Sequence, residues 1–105
     1  MYICGSVDDI EPIKKLANFF ALIGFKATRD WWNYINKDED SKNFYACEDL
    51  IAIKKCDLFV IYEGNIKTSG KYIELGIAIA LGKPIINLNK RLTSVFKVFT
   101  KNLTI

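Results

Sequence analysis

LFVIYEGNIKTSGKYIELGIAIALGKPIINL, residues 58–88, decides the fold. Its first five residues, Leu58 to Tyr62, form a continuous apolar run of the kind found in strands buried on both faces. Glu63 to Ser69 is a polar loop. A helix then runs to Leu81, where Gly82 stops it and Lys83 and Pro84 follow. Pro84 to Leu88 is a second apolar strand. Two such strands joined by a helix make a parallel crossover unit, which is right-handed on general grounds.

The same alternation continues upstream. Residues 1–5, MYICG, read as a short buried strand ending in Gly5. Asp8 and Asp9 offer N-caps, and Pro12 suits a first helical turn. Ile10, Ile13, Leu16, Ala17, Phe20 and Ala21 recur at helical spacing up to Gly24. Phe25 to Thr28 reads as a second short strand. From Arg29 to about Ser41 the pattern breaks into Trp31, Trp32 and the polar run KDEDSKN, a loop. A helix is expected from about Asn43 to Lys55, with Tyr45 or Ala46, Leu50, Ile51 and Ile53 as its apolar positions. Residues 91–105 suggest a helix and a short final strand.

These elements predict one domain over residues 1–105, a flavodoxin-like three-layer α/β sandwich. Its parallel sheet has four or five strands in the order 2-1-3-4, the fifth lying beyond strand 4. Ligands of such sheets bind at the carboxyl ends of the strands, near the switch between strands 1 and 3. Residues 5–9, 29–42 and 63–71 form the loops of that edge.

Composition narrows the functions available. The chain has 105 residues, 50% hydrophobic and 26% charged, which suffices for a core and excludes a disordered chain. No apolar run nears the ~18–20 residues of a membrane span. The first residues, Tyr2, Ile3 and Cys4, follow no basic segment, so a cytoplasmic protein without a secretory signal is expected. A net charge of +3, with basic runs no longer than pairs such as Lys14-Lys15 and Lys54-Lys55, is no footprint for a nucleic acid polymer. Cys4, Cys47 and Cys56 lack CxxC spacing and read as free thiols of a reducing compartment, Cys4 and Cys56 within apolar segments. With 0 histidines, Ser-His-Asp and Cys-His catalysis and the commonest metal ligand are excluded. Any chemistry must run on carboxylates, tyrosines, hydroxyls or lysines.

Such groups gather at the predicted ligand edge. The first strand leads into Gly5 and Ser6. The third leads into Thr68, Ser69 and Gly70, and Glu74 stands one turn into the next helix. There the macrodipole favours an ionised carboxylate, and a positioned carboxylate is a recognised nucleophile at sugar carbons. The pattern equally fits a Glu that caps the helix or faces solvent. Asp49 lies eight residues before Asp57, which opens the third strand; as a bare residue it also fits a surface acid. Ser6, Thr68 and Ser69 suit an anion or sugar hydroxyls, or simply turns. Trp31 and Trp32 suit stacking on a planar base, or packing at the core edge or a subunit contact.

The segment DLIAIKKCDLFVIYEGNIKTSGKYIELGIAIALGKP, residues 49–84, resembles the core signature of the nucleoside 2-deoxyribosyltransferase family. That signature has an Asp, a second Asp eight residues on at an apolar strand, a variable loop, a Gly, a hydrophobe-Glu-Leu-Gly, a small-apolar helix and Gly-Lys-Pro. YICGS, residues 2–6, is similar to the YxCGS of the related 2′-deoxynucleoside 5′-phosphate N-hydrolases. The resemblance implies that Glu74 is a nucleophile at the anomeric carbon. It makes Asp49 the acid that holds the base and assists its departure, and Tyr2 the residue that positions the nucleophile. Ser6 and Thr68 match hydroxyls that hold a 5′-phosphate, with Gly5, Ser69 and Gly70 beside them. Two positions depart from the family pattern: Thr68 replaces an Asp of many transferases, and Asp8 replaces an Arg of the nucleotide hydrolases.

The implied activity is cleavage of the N-glycosidic bond of a (deoxy)nucleoside or nucleotide, with transfer to a second base or to water. It needs neither metal nor redox cofactor. A non-catalytic nucleotide-binding module on the same scaffold and an NAD-type glycohydrolase are the competing expectations. The family also implies a homodimer or larger assembly, to which Trp31, Trp32, Phe96 and Phe99 are the aromatic candidates.

Overall fold

Tyr2, Ile3 and Cys4 leave almost no surface exposed, and these three residues are the first strand, β1 (Tyr2–Cys4). The structure is a computed structural model that describes residues 1–34, 39–64, 69–88 and 101–103, with side chains over 1–34, 46–64 and 70–88. β1 pairs with β2 (Phe59–Tyr62), β2 with β3 (Ile85–Leu88), and β3 with β4 (Lys101–Leu103). Every pair is parallel; Tyr2 faces Phe59, Phe59 faces Ile85, and Ile86 faces Lys101.

The side chains of a strand alternate between the two faces, so β1, β2 and β3 each feed two cores. One holds Met1, Ile3, Ile13, Phe20, Val60 and Leu88, under α1 (Ile10–Leu22). The other holds Tyr2, Cys4, Phe59 and Ile61 against Ala52 and Ile53 of α2 (Glu39–Lys55), Cys56 just after it, and Leu75 and Ala78 of α3 (Ser69–Ala80). Helices on both faces of a parallel sheet make the predicted three-layer, flavodoxin-like sandwich. Gly82, at φ +69°, turns the chain out of α3 where an L side chain would be strained.

Phe25 to Thr28 is not a strand of this sheet. It lies at the expected edge but makes only two backbone bonds there: the Met1 nitrogen donates to Lys26 O at 2.6 Å, and Thr28 N donates to Met1 O at 2.8 Å. The next outward acceptor, Ile3 O, is taken at 2.6 Å by the indole Nε1 of Trp31. The Thr28 hydroxyl bonds Ala52 O at 2.9 Å and, at 3.4 Å, Met1 O. A side chain thus ends the ladder that a second strand would have extended. The sheet order therefore corresponds to sequence strands 1-3-4-5.

Other local expectations also shift. α2 begins at Glu39, not Asn43, because Glu39 and Asp40 suit the positive end of a helix as well as they suit a loop. Leu50 and Ile51 are exposed; the buried positions of α2 are Ala52 and Ile53, continued by Cys56 just past its end. The helix N-cap role falls to Ser6, whose Oγ accepts from Asp8 N at 3.2 Å, while the Asp9 side chain caps nothing. Cys4 and Cys56 are buried free thiols and Cys47 is an exposed one. The predicted tail helix, Phe96 and Phe99 lie outside the described residues.

The indole bond to Ile3 is a strong candidate for a stability contribution. Trp31→Phe leaves the buried Ile3 carbonyl without its donor, a loss of about 1–3 kcal/mol. Urea unfolding should show a lower midpoint with an unchanged slope.

Candidate active site

The two core-facing positions of β1 and the first turns of α3 define one end of the sheet. Tyr2 points from β1 toward α3, and its hydroxyl donates to Glu74 Oε2 at 2.9 Å. The phenol ring is pinned by stacking on Phe59, centroids 5.8 Å apart at 16°. Glu74 is placed by its helix: Lys71, Leu75 and Ala78 form the buried stripe of α3, and Glu74 lies beside it.

Asp49 arrives from α2 on the same principle. Residues 49, 52, 53 and 56 fall at i, i+3, i+4 and i+7, so Asp49 continues the stripe of Ala52, Ile53 and Cys56 toward the pocket. Arg29 Nε bonds Asp49 Oδ1 at 2.8 Å, with the two side chains 13% and 23% exposed. The Arg29 guanidinium also lies 5.0 Å from the centre of the Tyr34 ring.

These groups surround a pocket of about 290 Å³, lined by Tyr2, Gly5, Ser6, Val7, Trp31, Asp49, Gly70, Lys71 and Glu74. The structure therefore brings Tyr2, Gly5, Ser6, Asp49, Gly70 and Glu74 together. A Cβ on Gly5 would meet Ile13 Cδ1 at 2.5 Å, so a side chain there forces the buried Ile13 to shift. Ser6 is buried and its hydroxyl is engaged with Asp8. Ser69 opens α3 without a described side chain, and Thr68 lies outside the described residues. Trp31 lines the pocket, while Trp32 packs edge-on against it, centroids 5.7 Å apart. Both are half-buried in this chain's own core edge.

Sequence reasoning missed Lys71, Arg29 and Val7. Lys71 is 3% exposed, and its ammonium donates to Glu63 O at 2.6 Å and lies 5.5 Å from the Tyr72 ring centre. The Tyr72 hydroxyl in turn donates to Glu63 Oε1 at 2.7 Å. The available signal for Lys71 was helical: it stands four residues before Leu75 on the inward stripe. Arg29 carried no local signal, since its partner is 20 residues away.

Burial dominates the electrostatics. It pushes Glu74 up to about 7, aided by the negative charge of Asp49; the bonds from Tyr2 and Cys4 pull the other way without prevailing. The macrodipole preference for an ionised Glu74 is thus overridden by desolvation. Burial also raises Asp49, and Arg29 opposes it. Burial and the neighbouring carboxylates drive the Tyr2 phenol far above its ordinary value, so it remains a proton donor to Glu74 at every working pH. Among the described residues no three His, Cys, Asp or Glu side chains converge as a metal site, and no helix is long and apolar enough to cross a membrane.

The Glu74 shift sets a pH dependence of stability. An acid raised in the folded state holds its proton there from its ordinary 4.5 up to about 7, while the unfolded chain has released it. Stability is therefore greatest below pH 4.5 for this group, falls through that window and levels above it, by about 3 kcal/mol in all. In Glu74→Gln this component vanishes. Denaturant unfolding across pH 5–8 should show the variant gaining on the wild type as pH rises.

No family model matches this chain, and no curated protein does. Among solved structures, the Clostridium botulinum CMP N-glycosidase BcmB is similar in fold, with a TM-score of 0.66 and 24% identity. The likeness covers 100% of this chain and 88% of that one, which establishes the flavodoxin-like α/β architecture over the whole length.

Proposed function

We propose that this protein cleaves the N-glycosidic bond of a nucleoside or nucleotide through a covalent sugar ester on Glu74. The observation that carries this reading is the Glu74 carboxylate, bonded at 2.9 Å by a phenol that cannot ionise, in a pocket with Asp49 on its wall. The fold shared with a CMP N-glycosidase supports the same reading. So does the resemblance of residues 49–84 and of YICGS to the deoxyribosyltransferases and nucleotide N-hydrolases.

The deprotonated Glu74 attacks the anomeric carbon as the bond to the base breaks, and the base departs with the bonding pair. Asp49 holds the base and assists its departure, and the leaving nitrogen takes up a proton from water. The sugar passes through an oxocarbenium-like state, as in glycoside hydrolysis. Tyr2 keeps the attacking carboxylate in place. Water then opens the ester and regenerates Glu74; a second free base in the same position gives transfer. Gly5, Ser6, Ser69 and Gly70, together with Thr68, form the sugar and phosphate end of the site in this reading. Trp31 offers an indole face to the base. A homodimer or larger assembly completes the proposal, and light scattering that finds only the monomer mass removes that part.

Base release from a panel of nucleosides and 5′-nucleotides, with and without a second base, tests the reaction. Glu74→Ala abolishes release, and intact-mass analysis of acid-quenched wild type shows a sugar adduct absent from that variant. A variant with wild-type turnover overturns the covalent step. Asp49→Asn lowers kcat about 10²-fold or more with a smaller change in KM, as expected for help given mainly in the transition state. The acid limb of the kcat/KM profile follows the ionisation of Glu74, with a midpoint of about 7.

A further inference from the structure

Two acids share this pocket, and one cation is bonded to only one of them. Arg29, from the segment between α1 and α2, places its Nε 2.8 Å from Asp49 Oδ1 with 13% of its side chain exposed. The Tyr34 ring, 5.0 Å away, backs the guanidinium. Among the described residues this is the hydrogen bond that Asp49 makes. Glu74, across the pocket, is bonded instead by the neutral Tyr2 hydroxyl.

We propose that Arg29 is a positioning residue: its bond holds Asp49 as a carboxylate in the free protein, so that of the two acids in this pocket Glu74 keeps its proton longer. Its catalytic meaning rests on the reading of Asp49 and Glu74 as the reacting pair. The proton placement itself is carried by the Arg29–Asp49 bond and by the neutral Tyr2 hydroxyl that Glu74 meets instead.

Each acid meets a different set of charges. Asp49 faces Arg29 from the preceding segment, Glu48 on its own helix, and Tyr2 and Glu74 across the pocket. Glu74 faces Tyr2 and Cys4 from β1 and Asp49 from α2, with Lys71 one turn earlier on its own helix. Two nearby carboxylates disfavour double ionisation, so a proton stays on whichever acid has less compensation. A guanidinium bond compensates a negative charge more strongly than a phenol bond does. Asp49 therefore gives up its proton first. Arg29 also fixes Oδ1, which leaves the second oxygen of Asp49 for the group that enters the pocket.

The arrangement has a consequence for the reaction. With Asp49 ionised and Glu74 protonated, the resting site is one proton away from its attacking form. Loss of that proton from Glu74 charges the nucleophile. Without Arg29 the proton moves toward Asp49, and both acids titrate as a coupled pair.

Carboxyl 13C NMR of the unliganded full chain, labelled at Asp and Glu and titrated from pH 3 to 9, tests this without any substrate. Absence of base release therefore leaves the outcome untouched. Glu74→Gln and Asp49→Asn assign the two resonances. In wild type, the Glu74 carboxyl titrates at about 7 and Asp49 below it. In Arg29→Gln, the Asp49 midpoint rises by about one pH unit or more and the Glu74 curve broadens. Arg29→Lys, which keeps the charge without the planar fork, restores part of the difference. A purely structural Arg29 leaves both midpoints in place in every folded variant, which overturns the proposal. Should Arg29→Gln not fold, the wild-type chain gives its own answer. The Arg29 Nε–H resonance follows the lower, Asp49 titration; if it follows the one near neutrality, the proton rests on Asp49 and the proposal is wrong.

Discussion

A half-buried carboxylate bonded by the Tyr2 hydroxyl is the constraint around which this structure is arranged. Taking Glu74 out of water costs more than the Tyr2 bond returns, which is why its proton is held up to about 7. The bond forms only because β1 lies beside β2 and presents Tyr2 to the α3 face. The backbone of Tyr2 is tied to Leu58 O at 2.9 Å, and its ring is stacked on Phe59. A phenol so enclosed has one role open to it, donation, and Glu74 is the acceptor within reach.

The open edge of β1 is closed by different means. Where a second strand would continue pairing, the Trp31 indole supplies one N–H to Ile3 O. The same residue packs against both cores and lines the pocket. One side chain thus completes the sheet edge and forms a wall of the candidate site. The segment around it also carries Arg29, so the position of Trp31 and the Arg29–Asp49 pair are parts of one local arrangement.

Most of the fold was legible because its signals are local. The apolar run at 58–62, the stop at Gly82 and the strand after Pro84 lie within one stretch, and each matches an observed element to within a residue or two. Phe25 to Thr28 was misread because strand identity depends on what the neighbouring edge has left to offer, and Trp31 had already used it. The early start of α2 was hidden by a polar run that suits a loop and a first helical turn alike. Within the site, Glu74, Tyr2 and the glycines stood in short motifs. Asp49 was placed by resemblance alone, because Leu50 and Ile51 read as apolar positions and hid the inward face that Asp49 shares with Ala52 and Ile53. Arg29 and Lys71 became visible only when distant segments met.

The absence of histidine gives the Glu74 environment its sense. A site that must gain or lose a proton near neutrality ordinarily uses imidazole, whose unperturbed value lies there. This chain has none. Burial moves an ordinary carboxyl into the same range at a cost in stability, and the cost is tolerable only if the rest of the pocket is not also charged. In the arrangement proposed above, the Arg29 guanidinium offsets the negative charge of Asp49 so that burial can act on Glu74. Two like residues thereby acquire unlike protonation states from their surroundings alone.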